Sequence, residues 1–195
     1  MNPVRDMAGE GSTGGSIRAF VCVELPDDVV AEIAAQARTL ATGSISPVQE
    51  NNIHLTIAFL GEVKQSAVPE IERAMGGVSR EPFRVRLGGL GSFGHGSPRV
   101  IFLSVEDGAV ELSELHARLC SALEGAGIGC ESRDFVPHLT LARVRASSGK
   151  AAGTRAQASL EGKHYEFTCN GMTLMQSVLG NGPPVHRRLF FRPFP

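Results

Sequence analysis

Two short stretches, His54-Leu55-Thr56-Ile57 and His138-Leu139-Thr140-Leu141, repeat one pattern at widely separated positions in the chain. Successive side chains of a β-strand point to opposite faces, so residues two apart share a face. Each stretch therefore predicts a strand that carries an imidazole and a hydroxyl on one face and two aliphatic side chains on the other. A polar pair on one side of so hydrophobic a strand indicates that both strands border a polar cleft.

The chemistry of these side chains suits phosphodiester cleavage. A free imidazole titrates near pH 6.5, so one histidine can accept a proton from water while the other donates a proton to a leaving oxygen. The hydroxyls of Thr56 and Thr140 can donate hydrogen bonds to the non-bridging oxygens of a phosphodiester. We therefore predict His54 and His138 as a catalytic acid–base pair. The alternative is that both are core histidines whose nitrogens bond to nearby carbonyls.

Composition narrows the class of protein. The 195 residues are 42% hydrophobic and 20% charged, which fits one compact domain. A formal charge of −1 argues against a large nucleic-acid footprint but allows a small basic pocket. No apolar run approaches the length of a membrane span, and residues 1–16 lack the apolar centre of a signal peptide. We expect a cytoplasmic protein.

The four cysteines are scattered without a C-x-x-C pair. This spacing predicts reduced, buried thiols and neither a metal site nor a redox role.

The order of predicted elements indicates a duplicated α+β fold. Residues 1–16 are predicted to be a disordered, glycine-rich leader, with Met7 as an alternative start, and residues 17–195 a single bilobal domain. Strand, helix, motif strand and helix are followed by strands, a helix, the second motif strand and closing strands. We infer two antiparallel lobes with helices on their outer faces and a central cleft between them.

Several local predictions accompany this fold. Leucines at helical spacing predict a helix that closes at Gly127. Residues 88–98 contain five glycines and predict a loop or hairpin connection, residues 128–132 a short strand, and residues 146–160 a mobile polar insert.

At this point the sequence resembles the two-histidine (2H) phosphoesterases, and most of all their RNA 2′,3′-cyclic phosphodiesterase branch, also called RNA 2′-5′ ligases. The resemblance spans roughly residues 17–194 and is carried by three stretches: Arg18-Ala19-Phe20, residues 52–61 (NIHLTIAFLG) and residues 135–143 (FVPHLTLAR). The chain departs from the family pattern at Pro47, where many members carry a tryptophan, and in the glycine-rich leader, which has no counterpart.

The resemblance implies a bilobal fold with both motifs facing a cleft, and catalysis without a metal or other cofactor. Members of the family hydrolyse 2′,3′-cyclic phosphate ends of RNA to 2′-phosphates and can reversibly join RNA ends through a 2′-5′ bond. By that analogy His54 protonates the leaving 3′ oxygen, His138 activates water, and Thr56 and Thr140 hold the phosphate. The near-symmetry of the two motifs leaves the acid and base roles unassigned by the residues alone.

Arg143 is a further candidate for binding the phosphate. Its odd offset from His138 puts it on the wrong face of a regular strand, so a β-bulge or the end of the strand is required to bring it round. The alternative is a solvated arginine. From residue 135 to 160 there are four basic residues and no acidic one (Arg143, Arg145, Lys150, Arg155), which fits either a path for an anionic strand or a solvated charge run.

The remaining histidines show no partner pattern. His116 is predicted to pack beside the leucines of its helix, and His186 to lie at a loop or strand edge. Phe20 and Phe93 can stack on a base but are more typical of a core.

We thus expect a monomeric enzyme that acts on the 2′,3′-cyclic phosphate end of RNA. Two alternatives stay open: a phosphodiesterase for another small cyclic or 2′-5′-linked nucleotide, and a non-catalytic module that binds RNA ends.

Overall fold

The computed structural model describes residues 14–94, 98–131, 134–145, 160 and 162–195. Strands and helices alternate along the chain much as the sequence predicts. In chain order they are β1 (Ser16–Val23), α1 (Asp27–Thr39), β2 (Ile45–Pro47), β3 (Leu55–Lys64), α2 (Val68–Gly77), β4 (Phe83–Phe93), β5 (Val100–Asp107), α3 (Ala109–Gly125), β6 (His138–Val144), β7 (Tyr165–Cys169), β8 (Gly171–Val178) and β9 (Val185–Pro193).

The strands form two antiparallel halves that meet at the two motif strands. The first half has the order β3-β1-β8-β9, and the second half β7-β4-β5-β6 with β2 on the far part of β6. Strands β3 and β6 are paired at one position, Leu55 with Leu139. Both motif strands start at this junction and run away from it in opposite directions. The predicted α+β architecture of two antiparallel lobes is confirmed.

Helices α1 and α3 connect the two halves through their packing. Helix α1 follows a strand of the first half but packs on β6 and β7 of the second, while α3 packs on β3 and β5 and α2 packs on α3. The predicted leucine stripe of α3 is confirmed, since Leu112, Leu115, Leu119 and Leu123 are all buried. Because helices and strands of both halves share their buried side chains, most of the core is one continuous cluster. The opposite face of the motif strands is left free for polar residues.

Both motif strands carry a bulge at the same place in the motif. The β1–β3 register skips Ile57, and the β5–β6 register skips Leu141. In each strand the skipped residue and its successor are both buried, and the next residue, Phe59 or Arg143, is exposed. Of the two arrangements predicted for Arg143, a bulge or a strand end, the structure has the bulge. It returns Arg143 to the face that carries His138.

One local prediction needs new bounds and another is wrong. A hairpin does join β4 to β5 within the segment 88–98, as predicted, but β4 continues through Phe93, so the connection is shorter than the predicted segment. Gly91 lies within the strand and leaves room for a neighbouring side chain, because a Cβ at this position would overlap the ring of Phe102. No strand forms over the described residues 128–131, where Glu131 N donates a single backbone hydrogen bond to Phe59 O (3.1 Å) instead of joining a ladder.

The ends of two other predicted segments need correction. The predicted leader, residues 1–16, falls mostly outside the described residues, but its last residue Ser16 already pairs with Lys64 in the sheet. The predicted polar insert at 146–160 also lies outside the described residues, apart from the buried Leu160.

The prediction of four reduced thiols is wrong for one pair of cysteines. Cys120 and Cys130 form a disulfide with their Cα atoms 5.5 Å apart, because the loop after α3 turns back alongside the last turns of the helix. Cys22 and Cys169 are buried and free, as predicted. No helix in the described part of the chain is both long enough and apolar enough to span a membrane.

The stability of the protein should be highly sensitive to the loss of a buried side chain at the junction of the two halves. Leu139 is completely buried where β3 and β6 meet, so Leu139→Ala should lower the free energy of unfolding by about 2–5 kcal/mol. Leu179→Ala removes the same atoms from a side chain that is 64% exposed. This substitution should change the free energy of unfolding by less than about 0.5 kcal/mol. Denaturant unfolding followed by circular dichroism measures both. Equal, small changes would contradict a tightly packed junction.

Candidate active site

The pairing of Leu55 with Leu139 sets how the two motifs face each other. In an antiparallel register the neighbours of a paired position lie opposite one another, so His54 faces Thr140 and Thr56 faces His138. The two leucines are buried in the core, and the four flanking side chains are half-buried on the other face. The histidines occupy diagonal positions on either side of this pair. A phosphate group that lies across the junction can therefore contact both imidazoles.

His54 lies in an aromatic cluster. Its ring stacks on Phe20 with the centroids 4.9 Å apart, and the edge of His186 contacts it with the centroids 5.2 Å apart. Burial in this cluster lowers the pKa of His54 from 6.5 to about 3, with a smaller contribution from the charge of His186. Burial also lowers the pKa of His186 itself. In this conformation His54 is therefore a neutral imidazole at physiological pH.

His138 has a different environment. A hydrogen bond of 2.7 Å joins its Nδ1 to Val136 O, and because a carbonyl only accepts, the Nδ1–H donates. Nε2 of the neutral ring then carries the lone pair. Phe93 contacts the ring edge-on with the centroids 4.8 Å apart, and Phe102 lies 5.1 Å away. The ring is held in the tautomer in which Nε2 can accept a proton.

The other predicted residues lie on the same polar face. Thr56 is paired with Cys22 of β1, and Thr140 with Phe102 of β5. Arg143 pairs with Ser46 of β2 through the backbone, and no carboxylate among the described residues forms an ion pair with its guanidinium. The face thus offers two hydroxyls and one unneutralised cation beside the histidines. This combination can hold an anionic phosphodiester.

Sequence reasoning missed His186, which the structure brings against His54. Its strand β9 pairs with β8 in a hairpin, with His186 opposite Ser177. Asn52, just before the first motif, donates from Nδ2 to Pro184 O (2.9 Å) and ties that hairpin to the motif. A hairpin register drawn across the glycine- and proline-rich turn at 180–184 would have placed His186 opposite Ser177. The contact with His54 has no sequence signal.

Phe20 and Phe93 are not simply core residues, because each ring contacts one of the two motif histidines. Phe20 is buried against His54, and Phe93 is 37% exposed beside His138. Each catalytic candidate therefore has an aromatic wall, from a neighbouring strand in the first half and from the β4–β5 hairpin in the second.

Comparison with known proteins gives one consistent result. The family model described as the 2′-5′ RNA ligase superfamily matches residues 25–181. The RNA 2′,3′-cyclic phosphodiesterase of Thermus thermophilus is 34% identical over 178 residues, which cover 87% of this chain and 86% of that protein. The protein of the same name from Archaeoglobus fulgidus is 29% identical over 175 residues, or 89% and 98% of the two chains.

A solved structure shares the fold. The crystal structure of Escherichia coli LigT complexed with 3′-AMP superposes with a TM-score of 0.76 at 23% identity, and the match covers 92% of this chain and 99% of that one.

The lowered pKa of His54 predicts a pH dependence of stability. Below pH 6.5 the unfolded chain takes up a proton on this histidine, while the folded protein does not until about pH 3. Stability attributable to His54 should therefore fall as the pH drops from 6.5 towards 3, by up to about 1.4 kcal/mol per pH unit.

Urea unfolding from pH 7 to pH 4 tests this: His54→Asn should lose less stability over that range than the unmodified protein. NMR titration of the imidazole signals gives a direct reading, and a His54 midpoint near 6.5 would contradict the buried environment.

Proposed function

The chain belongs to the 2′-5′ RNA ligase superfamily, and we propose that it hydrolyses 2′,3′-cyclic phosphodiester ends of RNA to 2′-phosphomonoesters. Two relatives that match most of its length carry the name RNA 2′,3′-cyclic phosphodiesterase. The observation that carries the proposal is the register of β3 and β6, which sets two imidazoles and two hydroxyls on one face. One cyclic phosphate can occupy that face.

The proposed reaction is an in-line displacement at phosphorus with two proton transfers. Nε2 of His138 accepts a proton from the attacking water, and its Nδ1–H keeps the hydrogen bond to Val136 O. The new P–O bond forms as the bond from phosphorus to the 3′ oxygen breaks. His54 donates its proton to that oxygen, which leaves as the 3′ hydroxyl. Water thus supplies the oxygen, and the products are a 2′-phosphate and a free 3′ hydroxyl.

Because the pKa of His54 is low, we propose that substrate binding helps to protonate this histidine before it acts as the acid. In the free protein the ring is neutral because Phe20 and His186 surround it. A cyclic phosphodiester brings one negative charge to the ring and favours its protonated form. An imidazolium of low intrinsic pKa gives up its proton readily, so it is an efficient donor to the leaving oxygen.

Binding of the phosphate is assigned to Thr56, Thr140 and Arg143. The hydroxyls donate to the non-bridging oxygens, and Arg143 supplies charge from the far end of the bulge. Acid–base catalysis by two imidazoles requires no metal ion. The same groups, run in reverse, would join RNA ends through a 2′-5′ bond, in accord with the superfamily's name.

We further propose residues 17–195 as one catalytic domain that works as a cytoplasmic monomer. Both motifs and the residues around them come from a single chain, so the proposed site needs no second copy. The RNA substrate favours the cytoplasm.

Removal of either motif histidine should abolish turnover. His54→Gln and His138→Gln should each lower kcat for a 2′,3′-cyclic nucleotide or a short RNA with a cyclic end by about 10²–10⁴-fold. The assay contains EDTA and follows formation of the 2′-phosphate. His164→Gln is the matched control, because His164 pairs with Glu106 on another strand, and it should retain activity. Turnover in both motif variants at the rate of the unmodified protein would exclude the mechanism, and an inactive unmodified protein would point to another nucleotide substrate or a binding module.

The acid and base roles can be separated with a modified substrate. When sulfur replaces the 3′ bridging oxygen, the thiolate leaves without protonation, so His54→Gln should lose at least tenfold less activity on it than on the oxygen substrate. His138→Gln should be impaired equally on both, because water still needs its base. The opposite pattern would reverse the two roles.

A further inference from the structure

We propose that His116, Cys120 and Cys130 form a binding site for one zinc ion when the Cys120–Cys130 disulfide is reduced. These three residues lie on α3 and in the loop that follows it. The site is separate from the polar face of the motif strands, and zinc binding there is independent of the proposed reaction.

The three ligand atoms are already close together. One potential ligand atom from each residue lies within 4.8 Å of the other two, and Cys120 Sγ is 3.7 Å from His116 Nδ1 and 3.8 Å from His116 Nε2. His116 and Cys120 are one helical turn apart, so their side chains share a face of α3. A tetrahedral zinc ion with Zn–S near 2.3 Å and Zn–N near 2.0 Å holds its sulfur and nitrogen ligands about 3.5 Å apart. Reduction of the disulfide frees the two sulfur atoms to rotate towards Nε2 of His116.

His116 is oriented as a metal ligand would be. Its Nδ1 lies 2.7 Å from Ile57 O, so the Nδ1–H donates to the carbonyl and Nε2 carries the lone pair. Phe135 stacks flat on the ring, with the centroids 4.2 Å apart and the planes 6° apart, which fixes the rotation of the imidazole. A backbone carbonyl behind the second nitrogen is the usual outer partner of a metal-bound histidine.

The chemistry of the set favours zinc. Two thiolates and one imidazole are soft and borderline ligands, which zinc accepts readily and magnesium and calcium do not. All three residues are half-buried, so an ion can enter from solvent and the fourth position is left for water. The other two cysteines are unsuited to this role. Burial raises the pKa of Cys169 to about 12 and that of Cys22 above the ordinary range.

Disulfide and zinc exclude each other at this site. With a phosphine as reductant, the S–S bond accepts two electrons and two protons, and the phosphine takes an oxygen from water to become the phosphine oxide. The two thiols that result, Cys120 and Cys130, each lose a proton as zinc binds. Oxidation of the thiols would release the ion. The loop after α3 is therefore tied to the helix in either state, by a covalent bond or by a metal.

The full chain, reduced with a phosphine and freed of reductant without oxygen, is titrated with Co²⁺ and then with Zn²⁺. Reduced protein should bind one equivalent of Co²⁺ with the intense near-ultraviolet absorption of thiolate-to-cobalt charge transfer, and Zn²⁺ should remove that absorption. His116→Gln should weaken the Zn²⁺ affinity at least tenfold, and Cys120→Ser should abolish the absorption. His164→Gln is the matched histidine control and should bind as the unmodified protein does.

The oxidised, unmodified protein is the second control and needs no substitution to fold. It should show no charge-transfer absorption, because its sulfurs are bonded to each other. The absence of this absorption from the reduced protein would overturn the proposal, as would its persistence in Cys120→Ser or its presence in the oxidised protein. Cobalt bound only through imidazoles, for instance near His54 and His186, gives no thiolate band and would equally overturn it.

Discussion

The paired position between Leu55 and Leu139 is the constraint on which the rest of the molecule depends. It is the contact through which β3 and β6 join two antiparallel sheets into one. Since both leucines point into the core, the residues on either side of them must point the other way. Hydrophobic burial at one position thereby places two imidazoles and two hydroxyls on a common face. The helices reinforce the junction, because they cover strands of both halves from the core side.

The two histidines occupy equivalent places in the backbone but unlike surroundings. His54 is enclosed by Phe20 and His186, which removes it from water and lowers its pKa to about 3. His138 is held through Nδ1 by a carbonyl of its own chain segment. Loss of solvent sets the protonation state of His54, and a single hydrogen bond sets the tautomer of His138. A nearly symmetric backbone can thus support the asymmetric proton transfers that a hydrolysis needs.

The bulges of the two motif strands are also equivalent in position but different in what they add to the polar face. They occur at Ile57 and Leu141, equivalent positions of the two motifs, and they return Phe59 and Arg143 to the polar face. One half therefore adds an aromatic ring and the other a cation. The bulged residue Ile57 also contacts helix α3 on the core side of the sheet. Its carbonyl oxygen accepts a hydrogen bond from His116, beside the cysteine pair. The motif strand is thus braced from its core face by α3.

By itself the sequence determined the elements and the chemistry. Alternation in the two motifs was enough to assign strands, faces and the catalytic candidates, because period-two patterning is a local property of the chain. It also anticipated that a bulge or a strand end must turn Arg143, which otherwise faces the wrong way. The extent of β4 was missed because the glycines at 88–91 signal turns locally, whereas Gly91 is required here by the ring of Phe102 across the sheet.

Only the tertiary structure decided which distant residues meet. His186 contacts His54, and Cys130 contacts Cys120, through meetings of separate chain segments that no short-range pattern encodes. The lowered pKa of His54 was equally hidden, because a pKa depends on burial and on neighbours that folding supplies. The sequence thus established which groups can do the chemistry, and the packing of the two halves decided their surroundings, because proximity between remote residues is a property of the fold and not of the chain.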